Sequence, residues 1–341
     1  MQLYHLSHID LDGYTCQYIT SQIFDAPLFF NANYGDEVMV RIDEIIEHIE
    51  SSNASHHLFL ITDLNLSDEE AAYVDARIKE LSTQKQIELL LLDHHASGID
   101  TAQRFAWYHL DVTRSATKIT YEYFLTSHPQ LSSLEPLVHA VNAVDIWLTN
   151  DESFEMGKVL MRLIDEAKEI NRFMFAHENL TYKHFLLTKA LPFIAQSKHI
   201  ALDEELCILK KSFFQKSTND TFDNLLTQFI LTLLSAHKEQ MSIIFQGHRG
   251  ILTFGIQNSS IIGNAFLQKH PDFHFFMNVN PKGSLSLRAN NAMDVSQMAA
   301  TIAGGGGHPN ASGGRIKGMP EFFRYQDLRH YIQELLTQKS S

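Results

Sequence analysis

The sequence has few cysteines and a deficit of basic residues, and each shortage excludes a class of protein. Its two cysteines, Cys16 and Cys207, lie far apart and form no pair motif, which excludes a disulfide framework and a thiolate zinc site. Lys and Arg number 27 against 40 Asp and Glu, so the formal net charge is -13. A chain this acidic repels phosphate backbones and is a poor candidate for coating long nucleic acid.

Long apolar runs are also missing, and the first residues do not show the pattern expected of a secretion signal. No run approaches the roughly 18 uninterrupted apolar residues that a membrane span needs. The first residues, Met1 to His5, carry neither a basic n-region nor a long apolar h-region, so secretion is not expected. With 44% hydrophobic and 20% charged residues over 341 positions, we expect a globular, cytoplasmic protein large enough for two domains.

The first 150 residues alternate between short apolar runs and segments with helical spacing. The predicted elements are strands at 3–6, 28–30, 58–62 and 87–92 and helices at 13–24, 38–49 and 67–81. Ser67 and Glu70 form a capping box that opens the last of these helices. The continuously apolar run at 87–92 is typical of a strand buried on both faces. The alternation predicts an α/β domain over residues 1–150 with a mostly parallel sheet.

After residue 150 the hydrophobic pattern changes twice, first to helical spacing and then back to alternating strands and helices. Residues 151–240 show three- and four-residue apolar spacing and are predicted to be helices that connect two domains. A second, smaller α/β domain is predicted at 241–320, followed by a C-terminal helix and tail at 321–341. The predicted elements of the second domain are strands at 242–245, 251–256, 273–279 and 284–287 and helices at 262–269 and 295–303.

Polar side chains that can bind metal follow three of the predicted strands. In an open α/β sheet, ligands bind beyond the carboxyl ends of the strands, so we expect these side chains to meet at one edge. Taken one at a time, the aspartates are equally well explained as helix caps or turn residues. The residues are His8, Asp10 and Asp12 after the first strand, Asp63 after the third, and Asp93, His94 and His95 after the fourth.

Asp145 lies inside an apolar helical segment. A buried carboxylate is costly without a partner, so either a cation or a salt bridge within the helix must face it. Aspartates mixed with histidines suit Mn²⁺, with Mg²⁺ or Co²⁺ as competitors, whereas zinc sites more often contain Cys or more His. Five or six such ligands allow two ions bridged by one carboxylate, an arrangement used for in-line attack on phosphorus.

In order and spacing, these residues resemble the four motifs of the DHH phosphoesterase superfamily. Those motifs are His8-x-Asp10-x-Asp12, Asp63, Asp93-His94-His95 and Asp145. The segments 284–290, 294–296 and 303–314 resemble the associated DHHA1 substrate domain. The resemblance therefore covers nearly the whole chain, and the helical middle region is similar to that of the nano-RNase, or oligoribonuclease B-like, group.

The resemblance implies a role for each matching residue. One ion would be held by His8, Asp10 and Asp63, and the other by Asp12, Asp63, His94 and Asp145. Asp63 would bridge the two ions. Asp93 would not contact an ion itself but would orient one of the metal ligands. His95 would contact the scissile phosphate or protonate the leaving oxygen.

Four successive glycines, Gly304 to Gly307, precede His308. The run is explained either as a flexible loop or as backbone that approaches an anion closely, with Arg288 and His308 adding donors. The resemblance implies that a terminal phosphate or ribose in a cleft between the domains is gripped by Arg288, Gly305, Gly306, Gly307 and His308.

The resulting functional hypothesis is a two-metal phosphodiesterase, of the exoribonuclease type, that hydrolyses short RNA oligonucleotides to nucleoside monophosphates. The alternatives are a cyclic- or linear-dinucleotide phosphodiesterase, a 3′-phosphoadenosine 5′-phosphate phosphatase, and a non-catalytic nucleotide sensor. The expected partner is a short oligonucleotide or dinucleotide, not long duplex nucleic acid or a membrane. Assembly as a homodimer is left open.

Overall fold

The computed structural model describes residues 1–216 and 219–340 and divides into two compact units. The first unit comprises Met1–Ala167 and Leu180–Lys210. The second comprises Lys168–Asn179 and the described part of the chain from Lys211 onward. Each unit contains one β-sheet, and the predicted α/β fold class is confirmed.

The sheet of the first unit is entirely parallel. Its strands are β1 (Gln2–Ser7), β2 (Leu28–Asn31), β3 (His56–Thr62), β4 (Gln86–Asp93) and β5 (Tyr108–Leu110), in the order β2-β1-β3-β4-β5. The sequence predicts the first four strands. It misses β5, because three residues at a sheet edge are too short to show a hydrophobic period.

Helices follow the strands as the alternating pattern predicts. They are α1 (Leu11–Ser21), α2 (Asp36–Ser51), α3 (Asp68–Leu81), α4 (Ile99–Arg104), α5 (Ala116–Leu125), α6 (Glu135–Asp145), α7 (Phe154–Asp165), α8 (Ala176–Ile194) and α9 (His199–Phe214). The capping box of α3 is present, with Ser67 accepting from the backbone of Glu70 and the Glu70 carboxylate accepting from the backbone of Ser67. Helices α8 and α9 each have residues in both units.

A polar layer lies under the carboxyl ends of β1 and β3, inside an otherwise apolar core. The fully buried His5 bonds through its two ring nitrogens to the hydroxyls of Thr20 and Thr62, at 2.9 and 2.8 Å. Ser7 lies 2.7 Å from the same Thr62 hydroxyl. Burial, reinforced by His184, lowers the pKa of His5 to about 3, so this imidazole is neutral. These bonds fix the ends of the two strands from which the candidate site residues emerge.

The second unit contains a mixed sheet of six strands among the described residues. They are β6 (Ser242–Phe245), β7 (His248–Phe254), β8 (Phe275–Val279), β9 (Ser284–Ala289), β10 (Gly306–His308) and β11 (Ala311–Arg315), in the order β10-β11-β9-β8-β7-β6. Its helices are α10 (Phe222–His237), α11 (Ser259–Lys269), α12 (Val295–Ala303) and α13 (Tyr325–Ser340). Helices α12 and α13 contribute Met298, Leu328 and Ile332 to its apolar core.

The glycine run is part of regular secondary structure, which does not support its interpretation as a flexible loop. Gly304 ends α12 in the left-handed region, with φ of 58°. A Cβ on Gly305 would lie 2.1 Å from the carbonyl oxygen of Gly313. Gly306 and Gly307 belong to β10, which pairs with β11. At Gly305 and Gly307, only glycine permits so close an approach to the neighbouring segment.

Within the described ranges, no helix is both long enough and apolar enough to cross a membrane.

Candidate metal centre

The first three predicted ligands lie between the end of β1 and the first turn of α1. Strand β1 ends at Ser7, so His8 and Asp10 lie in the turn and Asp12 lies in the first turn of α1. Asp10 is the N-cap and accepts from the backbone N–H of Gly13 at 3.0 Å. A Cβ at Gly13 would lie 2.4 Å from the carbonyl oxygen of His8, so this tight turn requires glycine.

His8 and Asp10 form a close pair. Nδ1 of His8 lies 2.8 Å from a carboxylate oxygen of Asp10. Although burial opposes both charges, their mutual contact raises the pKa of His8 to about 10 and lowers that of Asp10 to about 2. A cation bound at this pair must therefore displace a proton from His8.

Asp12 is held by a helix other than its own. It is buried, and its two carboxylate oxygens accept from the backbone N–H groups of Ala116 and Thr117, each at 2.8 Å. These are the first residues of α5, where backbone donors lack partners within the helix. Burial raises the pKa of Asp12 against the opposing charge of His94. The carboxylate is thus fixed in place before any ion is bound.

Asp63 lies between two imidazoles. It follows β3 with φ of 57°, a left-handed conformation that is unusual for a residue with a Cβ. Its Oδ1 is 3.4 Å from Nε2 of His94, and its Oδ2 is 3.6 Å from Nδ1 of His8. Burial, reinforced by the charges of neighbouring aspartates, raises its pKa well above the usual range. One carboxylate thus faces both predicted ligand sets.

Asp145 completes the second set. It is the last residue of α6, and its Oδ2 lies 3.5 Å from Nε2 of His94. This contact, rather than a partner on its own helix, is the ion pair found for Asp145 among the described residues. Burial, reinforced by the charge of Asp12, raises the pKa of Asp145 to about 9. The alternative of a salt bridge within the helix is not supported.

The donor set fits divalent cations. Among the described residues, three groups of three residues offer ligand atoms within 4.8 Å of one another, namely His8, Asp10 and Asp63; Asp12, His94 and Asp145; and Asp63, His94 and His95. In the described part of the chain, Oδ2 of Asp63 and Oδ2 of Asp145 are buried and accept no hydrogen bond. Carboxylates this close repel one another unless a cation neutralises them. These residues could therefore hold metal ions of the kind that oxygen and imidazole ligands prefer.

Asp93 orients His95, and its partner in the structure is not His94. Oδ1 of the buried Asp93 lies 2.6 Å from Nδ1 of His95, and its Oδ2 accepts from the hydroxyl of Tyr108 at 2.8 Å. Although burial lowers the pKa of His95, the hydrogen bond and charge of Asp93 raise it above its ordinary value. Asp93 keeps a proton on Nδ1, so Nε2 is the nitrogen that faces the site.

Two further residues at the site were missed by the sequence analysis. The Tyr34 hydroxyl lies 2.7 Å from Nε2 of His95, and its ring centroid is 4.5 Å from that of His8. Asp165, the last residue of α7, has an oxygen that makes no hydrogen bond to the described residues. Burial, reinforced by the charge of Asp10, raises the pKa of Asp165 to about 6. Tyr34 follows β2 at the same sheet edge, so the rule that ligands bind beyond the carboxyl ends of the strands could have identified it. No sequence pattern pointed to Asp165.

The predicted substrate-binding residues of the second unit share one part of its sheet. Arg288 on β9 and His308 on β10 both lie opposite Ala311 of the intervening strand β11. Opposite residues of antiparallel strands project from the same face, so a small alanine separates the two longer side chains. The guanidinium of Arg288 donates to the carbonyl of Leu287 and to the hydroxyl of Ser260. Gly305, Gly306 and Gly307 lie beside His308 in the chain.

Comparison with known proteins finds a curated relative and a solved structure that match over nearly the whole length of the chain. No family model matches the chain. A Helicobacter pylori protein named 3′,5′-cyclic-nucleotide phosphodiesterase is 45% identical over 346 residues, which cover 99% of each chain. A crystal structure of an uncharacterized protein from Helicobacter pylori G27 is 44% identical, covers 99% of each chain and has a TM-score of 0.93. The similarity therefore includes the residues of both units.

Proposed function

The chain belongs to the family of the Helicobacter pylori 3′,5′-cyclic-nucleotide phosphodiesterase, and from that premise we propose that it hydrolyses phosphodiester bonds in short nucleotides. The enzyme class is a metal-dependent phosphoesterase. The substrate we propose first is a short RNA oligonucleotide, cleaved to nucleoside monophosphates.

The position of Asp63 carries this proposal. Its carboxylate faces His8 with one oxygen and His94 with the other, so the two ligand groups meet at a single side chain. The first ion would be held by His8, Asp10 and Asp63, and the second by Asp12, Asp63, His94 and Asp145. Two divalent ions at such a site supply the positive charge that stabilises in-line displacement at phosphorus. We propose Mn²⁺ as the preferred ion, with Mg²⁺ or Co²⁺ as weaker substitutes.

His95 is the proposed contact to the reacting phosphate. Asp93 holds its Nδ1, and Tyr108 holds Asp93, so the imidazole is fixed by a buried chain of hydrogen bonds. This arrangement presents Nε2 to a phosphoryl or leaving oxygen at little cost in side-chain freedom. His95 would bind that oxygen or donate a proton to it.

The second unit supports a limit on substrate length. Arg288 and His308 lie at one register of the sheet, on the same face, and can bind a single terminal phosphate or ribose. The overall charge of -13 disfavours long nucleic acid, whereas a short substrate needs only these local donors. A second candidate substrate is a 3′,5′-cyclic nucleotide, because the full-length relative is named for that activity.

A hydrolysis panel tests the proposal. Enzyme treated with EDTA and then resupplied with Mn²⁺, Mg²⁺ or Co²⁺ is incubated with a diribonucleotide, a 3′,5′-cyclic nucleotide and 3′-phosphoadenosine 5′-phosphate, and the products are separated by chromatography. We expect no activity in EDTA, recovery best with Mn²⁺, and fastest turnover of the diribonucleotide. Faster turnover of the cyclic nucleotide would select the second candidate. Full activity without divalent metal, or no hydrolysis of any phosphodiester, would overturn the proposal.

A further inference from the structure

Trp147 ends the helix that carries Asp145, and it does so in an unusual way. The backbone N–H of Leu148 donates to the carbonyl of Ala143 at 2.7 Å, and that of Trp147 donates to the carbonyl of Val144 at 3.3 Å. These two bonds define a Schellman motif, which places Trp147 at the position after the C-cap. Its φ of 58° is left-handed, as this motif requires. Glycine is the usual residue there, because a Cβ is unfavourable in this conformation.

Packing does not explain why tryptophan occupies this position. The side chain is 63% exposed, although a ring of this size normally contributes through burial. Its aromatic contact is with the buried Phe154, at a centroid distance of 5.2 Å and an interplanar angle of 87°. An edge-to-face contact of this kind orients the indole and leaves most of its surface open. Tryptophan at this position is therefore unfavourable for the left-handed backbone conformation and gains little stabilisation from packing in the core.

The position is beside the candidate metal centre. Asp145, whose carboxylate lies 3.5 Å from His94, is two residues earlier in the chain. Two residues separate Cα atoms by at most about 7 Å. An exposed aromatic side chain within two residues of a candidate metal ligand suits stacking on a nucleobase, since base–aromatic stacking is common in proteins that bind single-stranded nucleic acid.

We propose that Trp147 determines substrate specificity by stacking on the nucleobase next to the scissile phosphate. The ligand class is a nucleotide with a purine or pyrimidine base, as opposed to a base-free phosphodiester. This inference rests on the proposed phosphodiesterase function and adds a contact that selects the nucleotide. The backbone strain at Trp147 is then the cost of presenting the ring at the site.

Fluorescence tests the contact without catalysis. The chain has two tryptophans, so a Trp107→Phe background leaves Trp147 as the single indole emitter. This protein is titrated with AMP or GMP, and with ribose 5-phosphate as a ligand that lacks the base. We expect saturable quenching by both nucleotides and none by the sugar phosphate. Nucleotide binding detected by calorimetry without any change in emission would overturn the proposal.

Kinetics of matched variants give an independent measure. Trp147→Gly removes the ring and relieves the left-handed backbone, so the variant is expected to melt no lower than the wild type. Its KM for a diribonucleotide should rise about tenfold to a hundredfold, the effect of losing one stacked base, with Trp147→Phe in between. A diribonucleotide with the base removed should show a much smaller difference. Leu148→Ala is the control, because this neighbour is also exposed and has no proposed role.

The outcomes separate this inference from the function on which it rests. Equal losses for Trp147→Gly on the intact and base-free substrates, or a change in oligomeric state by sedimentation, would overturn the stacking role. If the wild type hydrolyses no phosphodiester at all, the proposed function fails, and the fluorescence titration alone then decides whether Trp147 contacts a base.

Discussion

Asp63 and His94 approach within 3.4 Å at the centre of the site, although 31 positions of sequence separate them. The other oxygen of Asp63 faces His8. Because Asp63 would be shared by both proposed ligand sets, its removal should affect two ions at once, whereas removal of an outer ligand should affect one.

The first prediction is therefore that Asp63→Asn loses both metal ions. Asparagine tolerates the left-handed backbone that Asp63 adopts, so the fold should be retained. Elemental analysis should show metal falling from two ions per chain towards none, with a native circular dichroism spectrum. Asp10→Asn, which changes an outer ligand, should keep one ion. Retention of two ions by Asp63→Asn would show that this carboxylate does not bridge them.

Tyr34→Phe should tighten substrate binding. Nε2 of His95 has one hydrogen-bonding position, which the Tyr34 hydroxyl occupies in the free enzyme. A phosphoryl oxygen that contacts the same nitrogen must displace this hydroxyl. A typical hydrogen bond has a net value of about 0.5–1.5 kcal/mol, so KM should fall about twofold to tenfold while kcat changes little. A rise in KM would instead mean that the hydroxyl contacts the substrate itself.

Arg288→Ala should weaken the use of short oligonucleotides. The variant loses a charge-assisted contact of about 1.5–3 kcal/mol, which corresponds to roughly a tenfold to hundredfold loss in kcat/KM. Metal content should be unchanged. Bis-p-nitrophenyl phosphate lacks a terminal phosphate and should be affected much less, and Arg315→Ala on β11 is a matched arginine control. Equal losses on both substrates would place Arg288 at the reacting phosphate.

His5→Gln should remove a pH-dependent part of the stability. Burial lowers the pKa of His5 from 6.5 to about 3, so the unfolded chain binds a proton in this range that the folded chain does not. The stabilisation is complete above the unfolded pKa of 6.5 and is lost as pH falls towards the folded value. Urea unfolding in EDTA should show the largest difference between wild type and variant near about pH 7, shrinking by about pH 5. A difference between wild type and variant that does not change with pH would contradict this assignment.

Local pattern was sufficient for much of the fold. The apolar runs give the first four strands of the parallel sheet, and Ser67 with Glu70 gives the start of α3, because both signals depend on neighbours in sequence. The rule that ligands bind at the carboxyl edge of the sheet also predicted that Asp63 and His94 lie close together. The sequence analysis missed β5 and the hairpin of β10 and β11. These segments are too short or too rich in glycine to show a hydrophobic period.

What the sequence by itself determined is which residue types occupy the sheet edge. Tertiary structure alone decided how they pair. Asp93 bonds to His95, Tyr34 reaches the same imidazole from another loop, and Trp147 receives a left-handed position at the end of α6. Such pairings depend on how separate elements are placed in three dimensions, and a one-dimensional period carries no information about that placement.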